Sequence, residues 1–180
     1  MKNTKSIYTV NTDADADTPA FSAVAPPNDA IEQFRGEWDF LSNFFEQTIE
    51  IEGAMYPTAE HAFQALKTRE ASERYFVQIA PTPKAAKARG RKVTLRSDWD
   101  SARFDVMEQV LRAKFREPAL RAKLLATGDR TLIEGNTWRD TTWGAVRTKT
   151  GQWSGRNELG KLLMHLRDEL RAENATKPEG

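Results

Sequence analysis

The run Tyr56-Pro57-Thr58-Ala59-Glu60-His61-Ala62-Phe63-Gln64-Ala65-Leu66-Lys67 constrains this chain more than any other segment. It reads as a turn running straight into a helix. Pro57 fixes the approach and Thr58 is a good N-cap, so the helix is expected to begin at about Ala59. Residues three, four and seven apart share a helical face, which aligns Glu60, Phe63, Gln64 and Lys67 and leaves Ala62, Ala65, Leu66 and part of Phe63 to pack inward. An acid and an amine about two turns apart on one rigid element can perform proton transfer or carbonyl chemistry. The structural alternative is plain: the helix dipole favours a glutamate in a first turn, and a lysine further along is ordinarily solvated.

The 180 residues suit one domain with tails, and the formal charge of +1 sets up no strong field toward nucleic acid or a membrane. Charge is uneven, however. Asp13, Asp15, Asp17 and Asp29 outweigh Lys2 and Lys5 near the start, which leaves the remainder more basic, as a phosphorylated substrate or a merely solvated surface would require. The absence of cysteine excludes a thiol nucleophile, a disulfide framework and thiolate metal sites. His61 and His165 are the only histidines and form no two-histidine metal motif, so no metal and no cofactor is expected. No apolar run reaches membrane-spanning length and the start has no signal-peptide core, which points to a cytoplasmic chain that does not engage membranes.

Residues 1–32 read as a disordered leader, rich in Asn, Thr, Asp, Ala and Pro; 33–172 as the folded domain; and 173–180 as a flexible tail. Thr48–Glu52 alternates as a half-buried strand does, Gly53 turns the chain, and Ala54-Met55-Tyr56 returns as a short partner. Ala71–Ala80 is a second helix. Thr82 caps a short one with Pro83 at its first position, and Gly90 closes it as a C-terminal glycine. A longer helix after Asp100 carries Phe104, Met107, Leu111 and Phe115 on one stripe, with Trp99 before the cap as a staple on Phe104. Pro118 starts another helix, closed by Gly128. Thr131–Glu134 is a short strand, 135–156 a loop with a brief extended piece near Ala145-Val146, and the final helix begins near Asn157 and buries Leu159, Leu162, Leu163, Leu166 and Leu170. The pattern is mainly α with a few short strands.

Asn136-Thr137-Trp138-Arg139-Asp140-Thr141-Thr142-Trp143-Gly144 is the second notable cluster. Trp138, Trp143 and Trp153 all fall in this loop region, beside Arg139 and Arg147. Such tryptophans can stack on a flat heterocycle while arginine holds a phosphate, or they can simply fill the core where the loop crosses it. Asp140 can orient a sugar hydroxyl or stabilise a developing cation. Gly155–Gly160 offers backbone amides to an anion, with Asn157 as a plain N-cap the competing reading. Ser42-Asn43 can hydrogen-bond a ligand or shape a turn.

Taken together these segments resemble the NADAR family, which includes riboflavin-biosynthesis-intermediate N-glycosidases. The resemblance is carried by Leu41-Ser42-Asn43-Phe44, the Tyr56–Lys67 run, Gly90-Arg91, Arg96-Ser97-Asp98-Trp99, Ala113-Lys114-Phe115, Thr127-Gly128-Asp129, Asp140-Thr141-Thr142-Trp143-Gly144 and Asn157–Met164, in the family's order from about residue 34 to 170. It implies a compact, single-domain, mainly α-helical α+β fold of NADAR type and cleavage of an N-glycosidic bond in a small, nucleotide-like substrate. In one branch the substrates are ribosylamino-pyrimidine phosphates; another removes ADP-ribose from guanine in nucleic acid. A non-catalytic module for ADP-ribose or a related nucleotide is a further alternative.

The family's pattern places catalysis on Glu60, Lys67 and Asp140, and substrate binding on Ser42, Asn43, Gln64, Trp99, Trp143 and Asn157. Lys67 either captures the anomeric carbon as an imine, which requires its pKa to fall through burial or a neighbouring cation, or clamps the substrate as an ammonium. The chain departs from the pattern at Arg35, where the family often has an aromatic, and in 145–155, with an additional Trp153 and several cations. The oligomeric state is not set by any of these features.

Overall fold

The computed structural model describes residues 29–176; most of the expected leader, and the last four residues of the expected tail, lie outside the described residues. Helices dominate, with two short two-stranded sheets. The described residues form two units, one from 46–113, the other from 29–45 and 114–176.

The first unit opens with an antiparallel hairpin of β1 (Glu46–Ile51) and β2 (Ala54–Thr58), in which Ile49 faces Tyr56 and Ile51 faces Ala54. Glu52 and Gly53 both adopt positive φ, 54° and 76°, the two-residue reversal whose twist matches that of the strands. Ile49, Ile51, Tyr56 and Thr58 turn inward while Glu50 and Met55 face solvent. Helix α1 (Ala59–Ala65) starts where expected, with the Thr58 hydroxyl accepting from the His61 N–H.

Two expectations about α1 change. All seven of its residues are buried, because β1, β2, α2 (Ala71–Gln78) and α3 (Pro83–Gly90) pack around it. The helix also stops at Ala65, and Lys67 lies in the turn beyond the Leu66 cap rather than on the helical face. Cross-links explain the exit: the buried Thr68 donates its hydroxyl to Glu73 at 2.7 Å, and Arg96 N–H donates to the Lys67 carbonyl at 2.8 Å.

Helix α3 carries the expected Thr82 cap, which accepts from Ala85 N–H at 3.1 Å, and Pro83 at its start. Gly90 is its last residue but does not have the left-handed backbone of a C-terminal glycine. It is glycine because a Cβ there would run into the side chain of Gln64. Helix α4 (Trp99–Lys114) begins at Trp99 itself, not after Asp100, so Trp99 is not the residue before a cap that a staple on Phe104 requires. Its ring meets Phe63 instead, with centroids 5.3 Å apart and planes inclined by 53°.

In the second unit a 3₁₀ helix (Gly36–Leu41) precedes α5 (Pro118–Ala126) and α6 (Glu158–Ala175), with β3 (Val146–Arg147) paired antiparallel to β4 (Trp153–Ser154). The strand expected over Thr131–Glu134 reduces to one parallel bridge between Leu132 and Ile31, so part of the segment read as leader is integrated here, with Ile31 buried. Helix α6 buries the expected leucines and continues to Ala175, past residue 173 where the tail was expected to start.

Candidate functional site

The first unit gathers Glu60, Gln64, Lys67 and Trp99. A buried carboxylate needs partners. Glu60 is 5% exposed and receives the Gln64 Nε2 donor at 2.8 Å, one helical turn away. The Lys67 ammonium lies 5.8 Å from the centroids of both Phe63 and Trp99, which already contact each other. Two aromatic faces thus support one cation, in the geometry that favours cation–π attraction. Burial pushes the Lys67 pKa below the usual lysine value; Glu60 pulls it back up, and Lys87 and Arg91 push it down again. This is the balance that nucleophilic use of an amine requires, with desolvation and like charge set against one acid. Sequence spacing found Glu60, Gln64 and Lys67 and set Phe63 beside them; it gave no sign of Lys87 and Arg91 as the cations acting on Lys67.

His61 lies between these residues and is spent on structure. Its Nε2 lies 3.0 Å from the Ala80 carbonyl, which can only accept, so Nε2 carries the proton and Nδ1 accepts from the Thr58 hydroxyl at 2.8 Å. Burial lowers its pKa, which favours this neutral tautomer. Among the described residues no three His, Asp or Glu side chains cluster so as to hold a metal ion.

The second unit holds the other candidates. Asp140 Oδ1 accepts from the N–H groups of Thr142 and Trp143 at 3.0 and 2.9 Å and so shapes its own loop, while Asn136 brackets the Asp140 backbone with bonds of 2.8 and 3.0 Å. The loop's carbonyls then take the amides at the start of α6: Thr141 from Arg156, Thr142 from Glu158, Trp143 from Leu159 and Gly144 from Asn157. The backbone amides that Gly155–Gly160 would offer an anion are therefore taken by the protein itself. Asn157 is not a side-chain N-cap either. It is wholly buried in a left-handed conformation, its Oδ1 accepting from Glu134 N–H at 3.0 Å and its Nδ2 donating to the Leu132 carbonyl at 2.9 Å. That clamp positions the loop bearing Asp140 and Trp143.

Ser42 Oγ accepts from Phe44 N–H, shaping a turn, and its carbonyl accepts from Lys114 Nζ at 2.6 Å; Asn43 beside it is buried. The sequence assigns Lys114 no chemical role. It is 1% exposed, packs on Phe45 and Phe115, and burial lowers its pKa to about 7 against the opposing pull of Asp39 and Glu134. The three loop tryptophans divide between the two readings. Trp153 fills a small core with Ile133 and Ala145, whereas Trp138 is 54% exposed with the Arg35 guanidinium 5.9 Å from its ring; Trp143 is half-buried.

Comparison with known proteins identifies relatives of this chain. The NADAR domain model covers residues 25–171. The chain is 41% identical to the N-glycosidase YbiA of Escherichia coli (strain K12) over 136 residues, 74% of this chain and 82% of the relative. It is 37% identical over 136 residues to a riboflavin biosynthesis protein of Vibrio vulnificus, 73% of this chain but 35% of that longer protein. The NMR structure of the E. coli protein YbiA superposes with a TM-score of 0.71 at 37% identity, covering 84% of this chain and 90% of the other. The chain belongs to the NADAR domain family.

Proposed function

We propose that this protein is an N-glycosidase that cleaves the bond between ribose and base in ribosylamino-pyrimidine phosphates, early intermediates of riboflavin biosynthesis. The observation that carries the reading is the buried Glu60–Gln64 pair beside an amine whose pKa is depressed by burial. Relatives named N-glycosidase and riboflavin biosynthesis protein support the reaction and the pathway. A reactive ribosylamine opens in water, so its disposal belongs in the compartment where it is made, which we take to be the cytoplasm; among the described residues no helix is long and apolar enough to cross a membrane.

In this reading the exocyclic nitrogen of the ribosylamine expels the ring oxygen, and neutral Lys67 adds to C1′. The base amine leaves with a proton that Glu60 delivers, and water hydrolyses the Lys67 imine, releasing ribose phosphate and restoring the amine. Gln64 holds the Glu60 carboxylate in place, and Trp99 offers an aromatic face. In the second unit, the family's pattern is the support for assigning Asp140, Ser42, Asn43 and Trp143 to substrate contact, with Asn157 fixing the loop that carries Asp140 and Trp143. No metal or cofactor enters the scheme.

The test is mass spectrometry of products after incubation with the pyrimidine ribosylamine phosphate, with Glu60→Gln as control and ADP-ribosylated DNA assayed in parallel. Release of free base by the wild type and its loss in the control is expected. Turnover of the modified DNA alone would move the substrate to nucleic acid. Borohydride added during turnover should fix a sugar adduct on Lys67; an adduct-free Lys67 in an active enzyme would leave it a clamp.

A further inference from the structure

We infer that the second unit carries a seat for the phosphate of a mononucleotide-sized ligand, formed by Arg35, Arg139 and Arg147 around a cavity of about 480 Å³. The inference goes beyond the proposed function, stands on the second unit alone, and rests on that reading only for the choice of a phosphorylated sugar as its ligand.

The cavity is walled by Asn136 and backed by the Trp153 ring. Its cations are not equivalent. Arg147 lies 4.6 Å over Trp153, bonds the Gly151 carbonyl at 2.7 Å and pairs with Glu32, so it is oriented and partly neutralised. Arg35 and Arg139 have no ion pair among the described residues, and both are exposed. Two unpaired guanidiniums beside one fixed guanidinium form an arrangement that attracts a dianion and can bind its oxygens in pairs.

Local structure directs these groups to the cavity. Asn136 closes a five-residue loop on Asp140 with two hydrogen bonds, which turns Thr137, Trp138 and Arg139 outward. Arg139 sits at φ 64°, a backbone region unfavourable to a side chain with a Cβ and therefore held by the closed loop. Trp138, exposed on the same loop, receives Arg35 across its ring, which gives the rim one flat aromatic surface next to the cations. Phosphate against the arginines and a planar group against Trp138 is the ligand chemistry that fits. Arg35 and Trp153, two of the places where the sequence departs from the family's pattern, meet in this one cavity.

The experiment is calorimetric titration of the full chain with ribose 5-phosphate, ribose and a single-stranded octanucleotide. Wild type, Glu60→Gln and the double variant Arg35→Ala/Arg139→Gly are compared, with Arg35→Gln as a milder second variant. Ribose 5-phosphate should bind wild type and Glu60→Gln, ribose should not bind, and the double variant should lose at least tenfold in affinity, with a smaller loss for Arg35→Gln. Equal affinity of wild type and both arginine variants for ribose 5-phosphate overturns the inference. So does an arginine-dependent octanucleotide complex in a protein that ignores ribose 5-phosphate, since the seat would then belong to a polymer backbone. The two readings fail separately. Arginine-dependent binding without any N-glycosidic cleavage sinks the proposed reaction and leaves the seat, while cleavage with arginine-independent binding does the reverse.

Discussion

Gln64 donates to the Glu60 carboxylate at 2.8 Å while its Cβ and Oε1 lie against Gly90. One amide thus links the proposed proton carrier on α1 to the glycine that ends α3. Gln64→Leu should keep the fold, since the replacement fills similar space, but it strips a buried carboxylate of a donor, a loss worth about 1–3 kcal/mol. The expected outcome is turnover lower by roughly tenfold to a hundredfold, on the scale of positioned acid–base catalysis. Steady-state kinetics beside thermal unfolding checks it; an unchanged kcat would remove Gln64 from the mechanism.

Gly90→Ala tests the same contact from the other side. In an exposed helix this change stabilises by up to about 1 kcal/mol. Here a Cβ would strike Gln64 Oε1 and Cβ, and the wall behind Gln64 is the buried α1, so the clash should win. We expect a net loss of about 1–3 kcal/mol in denaturant unfolding together with reduced turnover. A stabilised and fully active variant would show that Gln64 yields freely.

How much of this was legible beforehand depended on whether the determining contact was local. Thr58, Pro83 and the turn at Gly53 are legible because caps and tight turns are set within four residues. Spacing alone puts Lys67 on the helical face, but α1 is ended by Thr68 with Glu73 and by Arg96 with the Lys67 carbonyl, contacts made 5 and 29 residues apart. Gly90 and Asn157 suit frequent local roles by sequence, yet each answers to a distant partner: Gln64 for one, Leu132 and Glu134 for the other. Lys114 had a usable signal. It follows Met107, Val110 and Leu111 by seven, four and three positions, which puts a cation on a buried apolar stripe.

The cations near Lys67 give a pH prediction. Burial and then the charges of Lys87 and Arg91 disfavour its ammonium, while Glu60 favours it. If the neutral amine is the nucleophile, kcat should climb with pH through the Lys67 pKa. Lys87→Met or Arg91→Met removes a like charge, raises that pKa and should carry the ascending limb upward by roughly 0.5–1 unit. The comparison is of kcat–pH profiles. A limb that stays in place in both variants would mean that Lys67 does not titrate in it.

Lys114 makes a prediction about stability rather than activity. Its folded pKa of about 7 lies below the ordinary lysine value of 10.5, because burial disfavours the ammonium more than Asp39 and Glu134 restore it. Between those two values the unfolded chain binds the extra proton, so this group makes unfolding harder as pH rises from about 7 toward 10, and its penalty is fully present below 7. Each unit is worth about 1.4 kcal/mol. Lys114→Met abolishes this dependence but leaves the Ser42 carbonyl without its 2.6 Å donor. Wild type minus variant, measured by urea unfolding at several values across that window, should therefore grow in favour of wild type with pH. A flat difference would mean that Lys114 stays charged when folded, held as an ammonium by Ser42 and the two carboxylates across the whole range.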